Sequence, residues 1–488
     1  MPSPPPLDKK QHLKYWTRCL KSPLPHQYTG NDSSRLLLAF FMVGGIELLT
    51  CPSDLPGSDS PPLPSLITEP DRLALREWVL SLAHPSGAGF AGSPNMLPPP
   101  IFKTADDDYD PLTRTTVPNS PESANIAATF FALLILATSS SPSSTPTAFS
   151  RLNRRAILKW LKRLQRPDGS FGEIVSPHGI VCGGRDMRYC YLAASIRWIL
   201  RDPEASPEED SELDFNVPKL IEYISTSQTF DGGIGESGAH ESHAGYAYCA
   251  VAALSLLDRP ADLASSAKHE SHALEKGIQD KEAFVKFCVS RQFAYLDPPS
   301  GDEEDEEDDE DGKWGDQDQD NFYLPKKLAD LSLDESLTYI AFNGRCNKVA
   351  DTCYTWWTGG ALALLDKLDV LDSSKSATRA FLMDKTQHMV GGFGKFAGSP
   401  PDVYHSFLGL AFLATLDRTA DDLPHFDEAL CVSTATVERI VEARKSMLAR
   451  GREVNAEKGM SAGLLDLAKL MANREGQLRA EKQQHATT

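Results

Sequence analysis

Four glycine-rich turns recur along the chain: Gly87-Ala88-Gly89-Phe90, Asp168-Gly169-Ser170-Phe171-Gly172, Asp231-Gly232-Gly233-Ile234-Gly235 and Gly391-Gly392-Phe393-Gly394. Each follows one apolar run of helical period and precedes another. The runs are Arg35–Leu49, Asp71–Leu82, Asn125–Ala137, Phe149–Leu164, Tyr189–Leu200, Lys219–Thr226, Ala244–Leu257, Lys281–Val289, Thr355–Leu368 and Tyr404–Leu416. Glycine allows the tight, positive-φ reversals that fold one helix back on the next. The pattern predicts an all-α chain built from helix-pair repeats of roughly 50–60 residues. Such repeats stack as an open solenoid or close into a ring.

The repeat rhythm is interrupted over 292–343, where Pro298-Pro299 and ten consecutive acidic residues, Asp302 to Asp311, stand. We expect an insertion there, disordered over 296–320. A second, smaller insertion is expected over 258–280, a Ser/Pro loop over Ser139–Ser144, and a polar tail over 456–488. The repeat domain then spans 1–455. The acidic run supplies ten of the charges behind a formal net charge of −19, which argues against a nucleic-acid partner. The nine cysteines are scattered and form no CxxC pair. The N-terminus Met1-Pro2-Ser3-Pro4-Pro5-Pro6 lacks a signal-peptide core. Leu36–Leu49 is too short to span a bilayer and contains Gly44-Gly45 and Glu47. A cytoplasmic chain with free thiols and no membrane insertion is expected.

Gly344 to Trp357 concentrates chemistry: Arg345, Lys348, Asp351, Cys353 and Tyr354, then Trp356-Trp357. Asp and Cys are zinc-ligand types, and His405, opening a later apolar helix, can complete a three-ligand set with one position open. Taken alone, the same residues also read as an N-cap, a buried cysteine and a core histidine. Arg345 and Lys348 stand at i, i+3 and can share one face of a helical turn. Tyr354 adds a hydroxyl, His243 starts a helix after a glycine turn, and Lys395 follows the last turn. Helix N-termini favour anions. A metal half-site joined to an anion half-site suggests displacement of a phosphate by a metal-bound nucleophile, with the Trp pair receiving an apolar group.

These residues resemble the β subunits of protein prenyltransferases, most closely the type-I geranylgeranyltransferases. The strongest likeness lies in Gly344–Trp357 with Gly391–His405. Gly232–Cys249, Asp186–Ala194 and two N-terminal stretches, His12–Trp16 and Ser34–Phe41, support it. The resemblance implies an α/α barrel, or toroid, with a central apolar funnel. It implies a zinc ion on Asp351, Cys353 and His405, diphosphate contacts from His243, Arg345, Lys348, Tyr354 and Lys395, and an isoprenoid and peptide wall of Leu37, Phe41, Arg188, Tyr191, Tyr246, Cys249 and Trp357. It also implies a heterodimer with a prenyltransferase α subunit, geranylgeranyl diphosphate as donor, and CaaX proteins such as Rho-type small GTPases as acceptors.

Within the family, a Trp at the position of Leu37 closes the farnesyl pocket, so Leu37 implies room for a longer lipid. Lys395 stands where farnesyltransferases carry an Asp that helps hold Mg²⁺, so Mg²⁺ is not expected to be required. Asn125 replaces a His that helps hold the peptide carboxylate. A farnesyltransferase β subunit is the nearest alternative, and a Rab-type β subunit fits the N-terminal segment and Lys395 less well. A terpene cyclase would use Asp106-Asp107-Asp108-Tyr109-Asp110, but that motif sits in a Pro-rich stretch. A helical scaffold with structural zinc would need no anion cluster.

Overall fold

The computed structural model describes residues 6–51, 66–97, 124–176, 178–261, 272–296 and 338–453. The acidic run, Asp106–Asp110 and the 456–488 tail lie outside them. Fourteen α-helices of the described residues are used below: α1 (Lys9–Lys21), α2 (Arg35–Thr50), α3 (Glu69–Ser81), α4 (Ile126–Thr138), α5 (Arg154–Arg163), α6 (Met187–Leu200), α7 (Pro207–Leu213), α8 (Val217–Thr226), α9 (Ala244–Asp258), α10 (Ala273–Gly277), α11 (Lys281–Val289), α12 (Cys353–Leu364), α13 (Lys375–Ala380) and α14 (Val403–Asp421). A further helix, α15, covers 434–453. Three two-stranded pieces complete the set: β1 (Ile174–Val175) with β2 (Val181–Cys182), β3 (Gln292–Ala294) with β4 (Ile340–Phe342), and β5 (Phe426–Asp427) with β6 (Val432–Ser433), all antiparallel.

Composition sorts the helices into two layers. α4 reads Ile-Ala-Ala-Thr-Phe-Phe-Ala-Leu-Leu-Ile-Leu-Ala-Thr, apolar on every side, and is almost wholly buried. α9 is similar, with alanines at 244, 247, 250, 252 and 253 that let its neighbours approach closely. α5, by contrast, buries Ile157, Leu158, Trp160 and Leu161 and turns Arg155, Lys159, Lys162 and Arg163 outward. The apolar helices form the inner layer. Their neighbour pairs are α2 with α4, α4 with α6, α6 with α9, α9 with α12, α12 with α14, and α14 with α2. That list returns to its start, so the inner helices make a closed ring of six rather than an open solenoid. One stretch, His26–Thr50, is long and apolar enough to cross a membrane by length and hydropathy. Its α2 part is a wall of this ring, packed on α4 and α14.

The glycine turns interlock successive repeats. Each makes the same isolated bridge across its base: Ala83 with Phe90, Gln165 with Phe171, Gln228 with Ile234 and Gln387 with Phe393. Gly169 abuts Lys219 of α8, Gly232 abuts Ala283 of α11, and Gly391 abuts Gln11 of α1. A Cβ on any of them would lie 2.1 to 2.4 Å from the next helix's backbone. The last contact joins the last turn to the first outer helix and closes the ring. His12 fastens it: the Gly392 amide donates to Nδ1 (3.2 Å), and Nε2 faces Gln387 Oε1 (2.9 Å).

Each apolar run read from the sequence is a helix, with shifted bounds. Thr355–Leu368 becomes Cys353–Leu364, ending where Asp366 adopts a positive φ. Phe149–Leu164 starts only at Arg154, behind the Asn153 cap. α1, α13 and α15 are not among those runs. Both expected insertions are narrower at their ends. Residues 292–294 and 340–342 pair as β3 and β4, and α10 packs on α8 and α9. Asp258 fixes α10 by accepting from the Ala273 and Leu274 amides.

Two tests follow from ring closure. Gly391 has φ +86, and a Cβ there would stand 2.4 Å from Gln11 O, whereas Gly398 has φ +76 with nothing within 4 Å. Gly398→Ala should cost about 1–2 kcal/mol from backbone strain alone. Gly391→Ala should cost clearly more in chemical denaturation, since the helix contact is lost as well. Burial holds the His12 imidazole below its usual 6.5, against the pull of Gln387, Asp8 and Asp421. The folded pKa is depressed, so this stabilisation is complete above 6.5 and is lost as pH falls through the folded value. Between neutral pH and about pH 5, wild type should lose stability more steeply than His12→Gln, whose amide retains both bonds. Parallel slopes would refute the role of His12.

Candidate active site

The N-termini of α6, α9, α12 and α14 meet around one cavity of about 470 Å³, within the usual range for small-molecule sites. Arg188, His243, Tyr246, Cys249, Arg345, Tyr354 and Trp357 line it. Five further residues line it that were not expected from the sequence: Glu236, His240, Glu241, Gly245 and Tyr404. The wall is apolar at Tyr246, Cys249 and Trp357 and cationic or hydroxylic at Arg188, Arg345, His243 and Tyr354.

His243 is the N-cap of α9 and accepts from the Gly245 amide through Nδ1 (3.0 Å). The proton of the neutral ring therefore sits on Nε2, 3.1 Å from Tyr354 Oη. Burial, then the cations Arg345 and Arg188, push this imidazole down to about 4, which keeps it a neutral donor. Tyr354 reaches it because residue 344 is glycine: a Cβ there would lie 2.1 Å from the Tyr354 ring. Gly344 O in turn accepts from the Ala244 amide, tying this loop to the start of α9. Arg345 pairs with Glu241 at 2.9 Å, and Arg188 is paired with Asp186, the cap of its own helix.

Two expected cations stand apart. The i, i+3 face shared by Arg345 and Lys348 does not form, because Asn347 has φ +59 and breaks the turn. Lys348 is exposed and off the cavity wall. Lys395 is exposed, its ammonium 4.7 Å over the Phe396 ring. Of the remaining expected wall residues, Phe41 packs against Tyr404 (5.6 Å) and Tyr191 against Tyr248 (5.7 Å), which touches Trp357. Leu37 is half-buried in the first turn of α2 and does not line this cavity. Asn125 caps α4 and donates to Glu173 Oε1 at 2.7 Å.

Beside the cavity, Asp351, Cys353 and His405 are all buried, with one ligand atom from each within 4.8 Å of the others. Thr352, fully buried, brings them together. Its amide donates to Lys395 O (3.0 Å) and its hydroxyl to Gly394 O (2.6 Å), joining the α12 start to the turn that leads into α14. Asp402 caps α14 and holds His405 Nδ1 at 2.6 Å, leaving Nε2 toward Asp351 Oδ1 at 3.1 Å. That Nε2 is buried and faces Asp351 without a well-aligned hydrogen bond. Asp351 Oδ1 also accepts from the Cys353 amide at 2.8 Å.

The electrostatics of this group suit a cation. Burial lowers the His405 imidazole, but Asp351 and Asp402 outweigh it and raise it to about 9. Burial pushes the Asp351 carboxyl up, yet His405 and Cys353 bring it below its usual range. Burial, then Asp351, hold the Cys353 thiol well above its usual range. A bound cation would reverse that last effect. The donor set O, S and N, a free imidazole nitrogen and a carboxylate behind the histidine fit a tetrahedral transition-metal ion with one position left for a ligand. Tyr404 connects the two halves, stacking edge-on with His405 (4.8 Å) and accepting from Trp357 Nε1 (3.1 Å).

The sequence family described as the prenyltransferase alpha-alpha toroid domain matches residues 7–432. The chain is 28% identical over 422 residues to a geranylgeranyl transferase type-1 subunit beta of Arabidopsis thaliana, covering 84% of this chain and 85% of that protein. It is 26% identical over 421 residues to the protein of the same name from Dictyostelium discoideum, covering 84% and 90%. Among solved structures, Candida albicans protein geranylgeranyltransferase-I complexed with GGPP superposes with a TM-score of 0.63 at 23% identity, over 90% of this chain and all of that one. The family match, the closed ring of helix pairs and the site at its inner N-termini agree: this chain belongs to the prenyltransferase α-α toroid family.

Proposed function

We propose that the chain is the catalytic β subunit of a type-I protein geranylgeranyltransferase. The observation that carries this reading is the junction of Asp351, Cys353 and His405 with an anion-binding, apolar-walled cavity. The reaction joins the thiol sulfur of an acceptor cysteine to C1 of geranylgeranyl diphosphate. The C1–O bond breaks, diphosphate leaves, and the thiol proton passes to solvent.

Asp351, Cys353 and His405 would hold a Zn²⁺ ion. When bound, it supplies the charge that makes an acceptor thiol a thiolate at neutral pH. Asp402 fixes the His405 ring through Nδ1. His243 Nε2–H, Tyr354 Oη–H and Arg345 offer donors to the diphosphate oxygens as negative charge gathers there. Arg345 must leave Glu241 to do so. Lys348 and Lys395 would swing in from the rim, Lys395 supplying charge that a divalent ion would otherwise bring. Trp357, Tyr246 and Cys249, backed by Tyr191, Phe41 and Leu37, cover the lipid, and Arg188 stands at the mouth toward the peptide. Each buried methylene-sized group contributes about 0.8 kcal/mol, so the lipid chain dominates affinity. The acceptors are CaaX proteins such as Rho-type small GTPases, the partner is a prenyltransferase α subunit, and the setting is the cytoplasm.

Co-expression with a prenyltransferase α subunit tests the reading. Labelled geranylgeranyl diphosphate should be transferred to CaaL peptides in preference to farnesyl diphosphate. Equal or reversed preference would return the chain to the farnesyl branch of the family.

The ligand set predicts that Cys353→Ala or His405→Ala loses about one metal per heterodimer and most turnover while still binding the lipid diphosphate. Asp402→Ala should keep the three ligands but weaken metal affinity about 10- to 100-fold. Full metal content in all three variants would refute the site. For Lys395, wild type should turn over with Zn²⁺ present and Mg²⁺ omitted. Lys395→Asp should be slow until millimolar Mg²⁺ is added, and Lys395→Ala slow with little rescue. A wild-type rate that climbs steeply with Mg²⁺ contradicts this role.

A further inference from the structure

Arg291 follows α11 and is only 5% exposed. Its guanidinium lies 5.0 Å from the Phe287 ring, an apolar neighbour. Nη2 donates to Ser290 Oγ (3.2 Å) and to Cys346 Sγ (3.3 Å). Nε and Nη1 have no hydrogen-bond partner, and no carboxylate among the described residues pairs with this cation. Arginine stays charged in proteins. An unpaired buried charge is unfavourable, and it is relieved by polar or anionic atoms brought within its reach. Both side-chain partners of Nη2 stand on exposed residues, and Cys346 is the one that carries a thiol.

Cys346 is the only exposed cysteine of the nine. It sits between Arg345, on the cavity wall, and Asn347, whose positive φ sets the loop's course. The loop is pinned at both ends, by Gly344 O on the Ala244 amide and by the Asp351 amide on Phe342 O. Cys346 is thus next in sequence to Arg345 on a loop held at both ends, so a group added to it bears on the loop that positions Arg345.

We propose that Cys346 is a reversible thiol-oxidation site that governs anion binding at the neighbouring cavity, with Arg291 as its positioning residue. Hydrogen peroxide is the oxidant and glutathione the capping thiol. In the first step the sulfur takes one oxygen: R–SH + H₂O₂ → R–SOH + H₂O, the sulfur oxidised and the peroxide reduced. Arg291 Nη2, already at Cys346 Sγ, donates to the new oxygen. In the second step R–SOH + GSH → R–SSG + H₂O forms the mixed disulfide. The glutathione carboxylates then compete with diphosphate for Arg345. A second thiol restores R–SH by exchange.

The effect on catalysis rests on the functional reading above, so the test reads modification separately. The purified heterodimer is treated with peroxide and glutathione, and the modified cysteines are mapped by mass spectrometry. Inorganic diphosphate binding is followed by calorimetry and lipid transfer by label. We expect Cys346 to be modified first, with a several-fold loss of diphosphate affinity that dithiothreitol reverses. Cys346→Ser should keep its basal rate and its diphosphate affinity through the treatment. Arg291→Met should slow modification at residue 346 several-fold, and Arg291→Lys should restore part of it. Modification elsewhere with Cys346 intact, or the same loss in Cys346→Ser, overturns the proposal. Modification and loss of diphosphate binding in a heterodimer with no lipid transfer would instead sustain it and refute the functional reading.

Discussion

The ring depends on a backbone contact that only glycine permits. Gly169, Gly232 and Gly391 each press against the main chain of the following outer helix, closer than any Cβ would allow. Each contact sets the angle and offset of one helix pair against the next. Repeated with the same bridge across its base, it curves the chain until the last turn meets α1. Closure decides function, because His243, Cys353 and His405 are far apart in sequence. They share a site only because α9, α12 and α14 are consecutive staves of one closed wall. His12, bonded to both Gly392 and Gln387, is where the first and last repeats are joined.

The inner helices also explain why the site sits where it does. N-terminal amides carry partial positive charge and lack intrahelical partners. Gathering four such ends around one cavity favours an anion before any side chain is counted. The capping residues then acquire second uses. Asp402 caps α14 and orients His405; His243 caps α9 through one nitrogen and offers the other to the cavity. Asp351 accepts the Cys353 amide while joining the proposed zinc set. The proposed metal-binding and anion-binding chemistry would thus be two outcomes of one arrangement of helix ends.

Much of this was legible in the sequence because it rests on local pattern. All-round apolar runs marked the inner helices, and the glycine pairs marked the turns. The cluster Gly344–Trp357 drew attention by residue type, and its Asp351 and Cys353 do stand together with His405. Less legible was whatever depends on contacts across the ring. α1, α13 and α15 carry mixed polar and apolar residues whose burial is decided by what they meet. α15, for instance, binds the carbonyls of Trp198 and Ala261 through Arg444. Thr352 looks like any helix-start threonine until its bonds to Gly394 and Lys395 are seen. Tyr404 and Asp402 adjoin His405 in sequence, and their spacing could have drawn attention to them. The expected shared face of Arg345 and Lys348 is the misreading, because i, i+3 spacing implies one only where the chain is helical, and Asn347 prevents that.

The cavity's two kinds of donor act at different stages. His243 is buried, neutral and fixed by the Gly245 amide, so its Nε2–H is aimed before any ligand arrives. Such a preorganised dipole contributes to charge stabilisation without reorganising during reaction. The cations are arranged in the opposite way. Arg345 is engaged with Glu241, and Lys348 and Lys395 are exposed and off the cavity wall. Held in place beside one another, three uncompensated cations would repel in the ligand-free protein. Pairing one and leaving two solvated avoids that cost, and in the proposed reaction the diphosphate would be the group that draws them in. Burial of the lipid would supply the free energy for that ordering. In the proposed reaction the apolar wall and these cations would therefore be coupled: an anion without a lipid tail offers the charge but not the apolar burial that offsets ordering of the lysines.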